Sequence, residues 1–206
     1  MSEFESVWRD IRAVAIGGSA GGVEVLSLLL SALPPTCPLA FFVVLHIPRE
    51  RPSLLPEIFG SKCALPVREA EDKEPVLGGT VYFPPPDYHL LIDAGPACAL
   101  SGDAPVHFSR PSIDVLFESA ADIYGPALLG LILTGASQDG AAGLAAVGRA
   151  GGHTVVQDPD CAAVRVLPEC ALRAGPVERV LGLEQLRQLF ASLGNERAGG
   201  ALQETH

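Results

Sequence analysis

Apolar runs, each followed by a turn of small residues and then a helical pattern, recur along the chain. Ala13-Val14-Ala15-Ile16 predicts a strand, Gly17 to Gly22 a tight turn, and residues 23–33 a helix. That helix is apolar nearly all round, so it has to be buried on more than one side. Pro34-Pro35 stops it. Residues 39–47 form a second apolar run, hydrophobic on both faces, as in a strand inside a parallel sheet. A short helix is expected from Ser53 and a third strand near residues 64–67. Residues 80–83, 88–93 and 97–101 alternate and are separated by Pro- and Gly-rich turns, which predicts an antiparallel hairpin insert at a sheet edge.

Helical spacing returns at Ile113, Leu116, Phe117, Ala120 and Ile123, with Ser112 as N-cap. Residues 128–134 predict another buried strand, residues 141–150 a small-residue helix ended by Gly151-Gly152, and residues 154–157 a strand. Leu183, Leu186, Leu189, Phe190 and Leu193 stripe a final helix. The polar residues 195–206 are expected to be a disordered tail, and residues 11–194 one domain. This alternation predicts an α/β fold: a three-layer sandwich with a doubly wound, mostly parallel sheet and a hairpin insert. Sites in such sheets gather at the carboxyl ends of the strands.

Three strand ends carry reactive side chains: Ser19 after the first, His46 at the end of the second, and Asp139 after residues 128–134. They are the parts of a nucleophile–base–orienter triad, in which Ser19 attacks a carbonyl, His46 relays the proton and Asp139 orients the imidazole. Gly17-Gly18-Ser19-Ala20-Gly21 matches G-x-S-x-G between a strand and a helix. The backbone N–H groups of Ala20 and Gly21 are oxyanion-hole candidates. Each residue also has a plainer reading: the glycines as a tight connection, Asp139 as an N-cap, and His89, His107 and His153 as competing histidines. The chain order Ser, His, Asp and the early serine differ from α/β-hydrolases, and Ser19 occupies a position where a dinucleotide fingerprint needs glycine.

Composition narrows the partners. With 14 Lys+Arg against 24 Asp+Glu the net charge is −10, which excludes a protein that tracks nucleic-acid phosphates. Mean hydropathy of +0.31 and 48% hydrophobic residues indicate a chain that buries a large core. No apolar run reaches the roughly 20 residues of a membrane span, so no membrane insertion is expected. The acidic start Met1-Ser2-Glu3-Phe4-Glu5 lacks the layout of a signal peptide. Cys37, Cys63, Cys98, Cys161 and Cys170 include no CxxC pair, which fits thiols in a reducing cytoplasm and no metal site.

Five segments in order resemble the catalytic domain of chemotaxis protein-glutamate methylesterases (CheB type). They are Ala15-Ile16-Gly17-Gly18-Ser19-Ala20-Gly21-Gly22, Val43-Val44-Leu45-His46-Ile47-Pro48, Pro85-Pro86-Asp87-Tyr88-His89-Leu90-Leu91, Arg110-Pro111-Ser112-Ile113-Asp114, and the run from Leu131 to Leu144. The resemblance spans residues 11–193 and implies that Ser19, His46 and Asp139 are the triad. It implies hydrolysis of glutamate γ-methyl esters, and deamidation of certain glutamines, on the cytoplasmic helices of methyl-accepting chemoreceptors. It needs no cofactor, and it extends the expected partners to other chemosensory signalling proteins. Two features depart from the family: Ala20 follows the serine where Thr is usual, and Ala136-Ser137 replaces Met-Gly. The family's receiver domain has no room before Ala13 in this sequence, so a free-standing member is expected, with a fragment separated from its regulator as the alternative. Arg49, Arg51 and Arg110 are candidates for a basic rim that meets an acidic receptor. A serine esterase of the same fold with another substrate, and a catalytically weak signalling module, are the alternatives.

Overall fold

The computed structural model describes residues 10–46 and 54–194. In chain order the elements are β1 (Ala13–Gly18), α1 (Gly22–Ala32), β2 (Ala40–Leu45), α2 (Leu55–Gly60), β3 (Val67–Glu69), β4 (Thr80–Phe83), β5 (His89–Asp93) and β6 (Ala97–Ser101). They continue with α3 (Ile113–Tyr124), β7 (Leu128–Ile132), α4 (Ala141–Arg149), β8 (His153–Gln157), α5 (Val166–Ala174), β9 (Arg179–Leu181) and α6 (Leu183–Ser192).

Seven strands form one parallel sheet in the order β3-β4-β2-β1-β7-β8-β9. Every residue of β1, β2 and β7 is buried, because helices cover both faces and leave neither side a reason to be polar. Alternate residues feed two cores. Val14, Ile16, Phe41, Val43 and Leu131 pack with α1, α2 and α6 on one face. Ala13, Ala15, Phe42, Val44 and Ile132 pack with α3, α4 and α5 on the other. The chain winds outward from β1 through β2 and from β7 through β8, so β1 and β7 flank the point where the winding reverses. Loops diverge there and leave a crevice at the carboxyl ends.

The hairpin β5–β6 is a separate two-stranded antiparallel sheet, packed on α3 through Leu90 and Ile92. Residues 80–83, expected beside it, instead join the main sheet as β4, parallel to β2. The apolar pattern Val81-Tyr82-Phe83 is wholly buried, which a two-stranded insert could not achieve. The third strand sits at Val67–Glu69, slightly later than its expected 64–67. The expected helix start at Ser53, the end of the second strand at Ile47 and the tail 195–206 lie outside the described residues.

Candidate functional site

The turn after β1 is built for close approach. Gly21 caps α1 at φ 79°, a backbone conformation costly for other residues. The Ser19 N–H donates to Thr134 O (3.0 Å), the Gly22 N–H donates to Ser19 O (2.8 Å), and Thr134 Oγ1 lies 3.0 Å from Ala20 O. The same hydroxyl accepts from the Val164 N–H (2.9 Å), so one wholly buried threonine ties the Ser19 turn to the segment before α5. Among the described residues, the Ala20 and Gly21 N–H groups donate to no protein acceptor. Both follow Ser19 at the start of α1, where N–H groups lack intrahelical partners.

Register brings the second residue alongside. Gly18 pairs with Leu45, and the His46 N–H donates to Gly18 O (3.0 Å), so Ser19 and His46 leave adjacent parallel strands at the same level. His46 Nε2 lies 2.8 Å from Asp139 Oδ2. An ionised carboxylate only accepts, so the ring's proton sits on Nε2 and Nδ1 is left as the basic nitrogen. Among the described residues no hydrogen bond joins Ser19 Oγ to the ring.

Asp139 is wholly buried. Its Oδ1 accepts from Ser112 Oγ (2.7 Å) and the Asp114 N–H (3.0 Å), and its Oδ2 accepts from the Ile113 N–H (2.8 Å) as well as His46. Burial alone pushes its pKa up, but the bonds from His46, the Asp114 and Ile113 amides and Ser112 outweigh it. The carboxyl therefore titrates below its ordinary range. Asp139 does not cap its own helix, whose N-cap is Gly140; it fills the N-terminus of α3, a natural anion site. Ser112 caps the same helix, accepting from the Val115 N–H (3.3 Å).

Asp114 returns the favour. Its Oδ1 accepts from the Gly140 and Gly143 N–H groups (2.9 and 2.6 Å) at the start of α4. Two carboxylates thus cross between two helices, each on the other's N-terminus. Behind them the Ser112 N–H donates to His89 Nδ1 (3.1 Å), which leaves Nε2 of His89 to donate to Ala104 O (3.3 Å). His89 is 1% exposed and holds the α3 cap in place. Sequence reading assigned no role to Asp114, the α3 amides or Thr134, and took His89 only as a rival of His46. The signal for the first two was the N-cap run Ser112-Ile113-Asp114, since such a helix start seeks an anion.

The remaining candidates scatter. Arg110 is spent on a bidentate pair with Asp87 (2.9 and 2.7 Å) and on the Gly102 and Asp103 carbonyls. Arg49 and Arg51 lie outside the described residues. His107 meets Gln138 Nε2 through Nδ1 (3.1 Å), and His153 pairs with Glu178 (2.8 Å). In place of the family's glycine, Ser137 accepts from the Asp139 N–H through its hydroxyl (3.1 Å). No helix among the described residues is long and apolar enough to cross a membrane.

The chain matches the family model described as CheB methylesterase over residues 14–190. A relative from Leptospira interrogans is 42% identical over 184 residues, covering 89% of this chain and 95% of that one. A Rhodopseudomonas palustris relative named protein-glutamate methylesterase/protein-glutamine glutaminase of group 3 operon is 40% identical over 87% of this chain, which spans 50% of its length. The crystal structure of the Thermotoga maritima CheB methylesterase catalytic domain superposes with a TM-score of 0.79 at 32% identity, covering 87% of this chain and 98% of that one. The mostly parallel sheet with its separate hairpin is therefore the architecture of that catalytic domain, and the chain belongs to the CheB methylesterase family of ester-cleaving enzymes.

Proposed function

We propose that this protein hydrolyses γ-methyl esters of glutamate side chains, and deamidates glutamines, on chemoreceptor helices in the cytoplasm, with Ser19 as nucleophile, His46 as base and Asp139 as orienter. The observation that carries the reading is the 2.8 Å bond between His46 Nε2 and a wholly buried, four-times hydrogen-bonded Asp139, one strand from Ser19.

In this mechanism Nδ1 of His46 takes the Ser19 hydroxyl proton as Oγ attacks the ester carbonyl. The tetrahedral oxyanion is met by the Ala20 and Gly21 N–H groups. The proton then passes from His46 to the leaving methoxide, and methanol departs from an acyl-serine. Water, deprotonated by the same ring, cleaves the acyl-serine to glutamate and restores Ser19. With glutamine the leaving group is ammonia and the remaining steps are unchanged. Asp139 stays ionised throughout and stabilises the imidazolium. Bonds between nucleophile and base commonly close only once substrate is bound.

The test is methanol release from a polypeptide methylated on glutamate. Ser19→Ala is expected to lower kcat by about 10⁶-fold. Wild type and variant equally inactive on this substrate and on small esters would favour a binding module instead.

A further inference from the structure

The chain carries −10, and every ester it cleaves leaves one more carboxylate on its substrate, so the electrostatics of docking oppose repeated encounters. One surface reverses that sign. A cleft of about 480 Å³ lies between α4 and α5 and opens beside Gln138, the residue before Asp139. A second cleft of about 530 Å³ shares Ala145, Arg149 and Ala174 with it and continues the groove toward Pro176. The α4 wall, from Ala141 to Arg149, is about 14 Å long at 1.5 Å per residue. Its facing side chains are small, so a helix could lie close against it.

The charged groups in the first cleft are mostly cationic. Arg149 is exposed and makes no ion pair among the described residues. The Arg173 side chain is 67% exposed, its nearest carboxylate is Glu169 at 3.7 Å, and it donates to Cys170 Sγ (3.3 Å). The one carboxylate lining this cleft is Asp114, which is 5% exposed and occupied by the Gly140 and Gly143 amides. Glu178, in the second cleft, is held by His153.

We infer that the α4–α5 groove is the docking site for an acidic helical segment of the polypeptide substrate, with Arg149 and Arg173, in the last turns of α4 and α5, receiving carboxylates two to three helical turns from the ester on one side of it. The inference rests on the polypeptide-ester reading above and adds to it a preference: glutamate esters with free glutamates two to three turns away along the helix are cleaved first, so hydrolysis favours its own continuation along a helix.

The experiment uses the full chain and helical peptides with one glutamate methyl ester and, about seven and eleven residues from it, Glu or Lys, placed on one side of the ester in one series and on the other side in a second. Wild type is expected to favour the Glu-bearing peptide of one series in kcat/KM by about five- to tenfold, as two exposed ion pairs allow, and to lose the preference in about 0.5 M salt. Arg149→Glu with Arg173→Glu should reverse the preference, and the double Ala variant should abolish it. Hydrolysis of a small neutral ester should be unchanged in both. Cleavage of all peptides without a charge preference, or a preference that survives in the Glu variant, overturns the groove assignment alone. Cleavage of the neutral ester but of no peptide overturns the polypeptide reading, and the groove with it.

Discussion

Asp139 accepts from amides at the start of α3 and Asp114 from amides at the start of α4, yet their environments push them in opposite directions. Asp139 is held ionised. For Asp114, burial raises the pKa, the Gly143 amide lowers it, the charge on Asp139 raises it, and the Gly140 amide and His107 lower it; the sum is a raised value. A carboxyl raised in the folded state binds its proton more tightly there than in the unfolded chain. Its contribution to stability is therefore lost as pH rises from about 3.8 through the folded value. Asp139 does the reverse, losing its contribution as pH falls through its depressed value. Asp114→Asn keeps an oxygen for the Gly140 and Gly143 amides and removes the charge. Urea denaturation should show this variant gaining on wild type between pH 4 and pH 7. Asp114→Ala leaves two buried N–H groups unpaired and should cost about 1–3 kcal/mol at both. Equal effects of the two substitutions would mean the carboxylate is not acting as this cap. Ser19, His46 and Asp139 were legible in the sequence because each follows an apolar run. Asp114 was not, because its partners lie 26 and 29 residues away on another helix.

The elements pack closely around the site, and Gly135 lies where the Ser19 turn meets α5. A Cβ there would stand 2.8 Å from Ser19 Cβ and 2.8 Å from Leu167 Cδ2, wedged between the Ser19 turn and α5. Gly135→Ala should displace Ser19 and lower kcat on a small ester by about 10²-fold, with far-ultraviolet circular dichroism unchanged. Full activity would mean the turn relaxes without moving the serine. The need for α5 was hidden from the sequence. Its apolar face is interrupted by Pro168 and Glu169 in the first turn, and its cap, Arg165, makes no side-chain capping bond. β9 is three residues long with only Leu181 buried, too short for alternation to declare a strand. By contrast β1, β2 and β7 were plain, because a strand covered on both faces is apolar throughout. Val81-Tyr82-Phe83 misled for the same reason in reverse: its turns resembled a hairpin, while its continuous apolarity belonged to the parallel sheet.

At the scale of the whole molecule, the sheet separates a supporting core from the core beneath the site. Phe190 on α6 lies against Phe41 with ring centroids 6.1 Å apart, on the face opposite α3 and α4. Phe190→Ala should cost about 3–5 kcal/mol in denaturant yet leave kcat unchanged below the unfolding transition. A large fall in kcat at full folding would show that the two faces are coupled. The mostly parallel sheet and the gathering of the candidate residues at its carboxyl ends followed from alternation of strand and helix, whereas the strand order and the crossing of α3 and α4 over Asp139 depended on distant pairings. That crossing has a spectroscopic consequence. The amide protons of Ile113 and Asp114 are bonded to a side chain instead of to a helical carbonyl, so deuterium can replace them only when the Asp139 carboxylate swings away. Their isotope-exchange rates are a built-in clock for how often the acid releases its grip, readable residue by residue without any substrate.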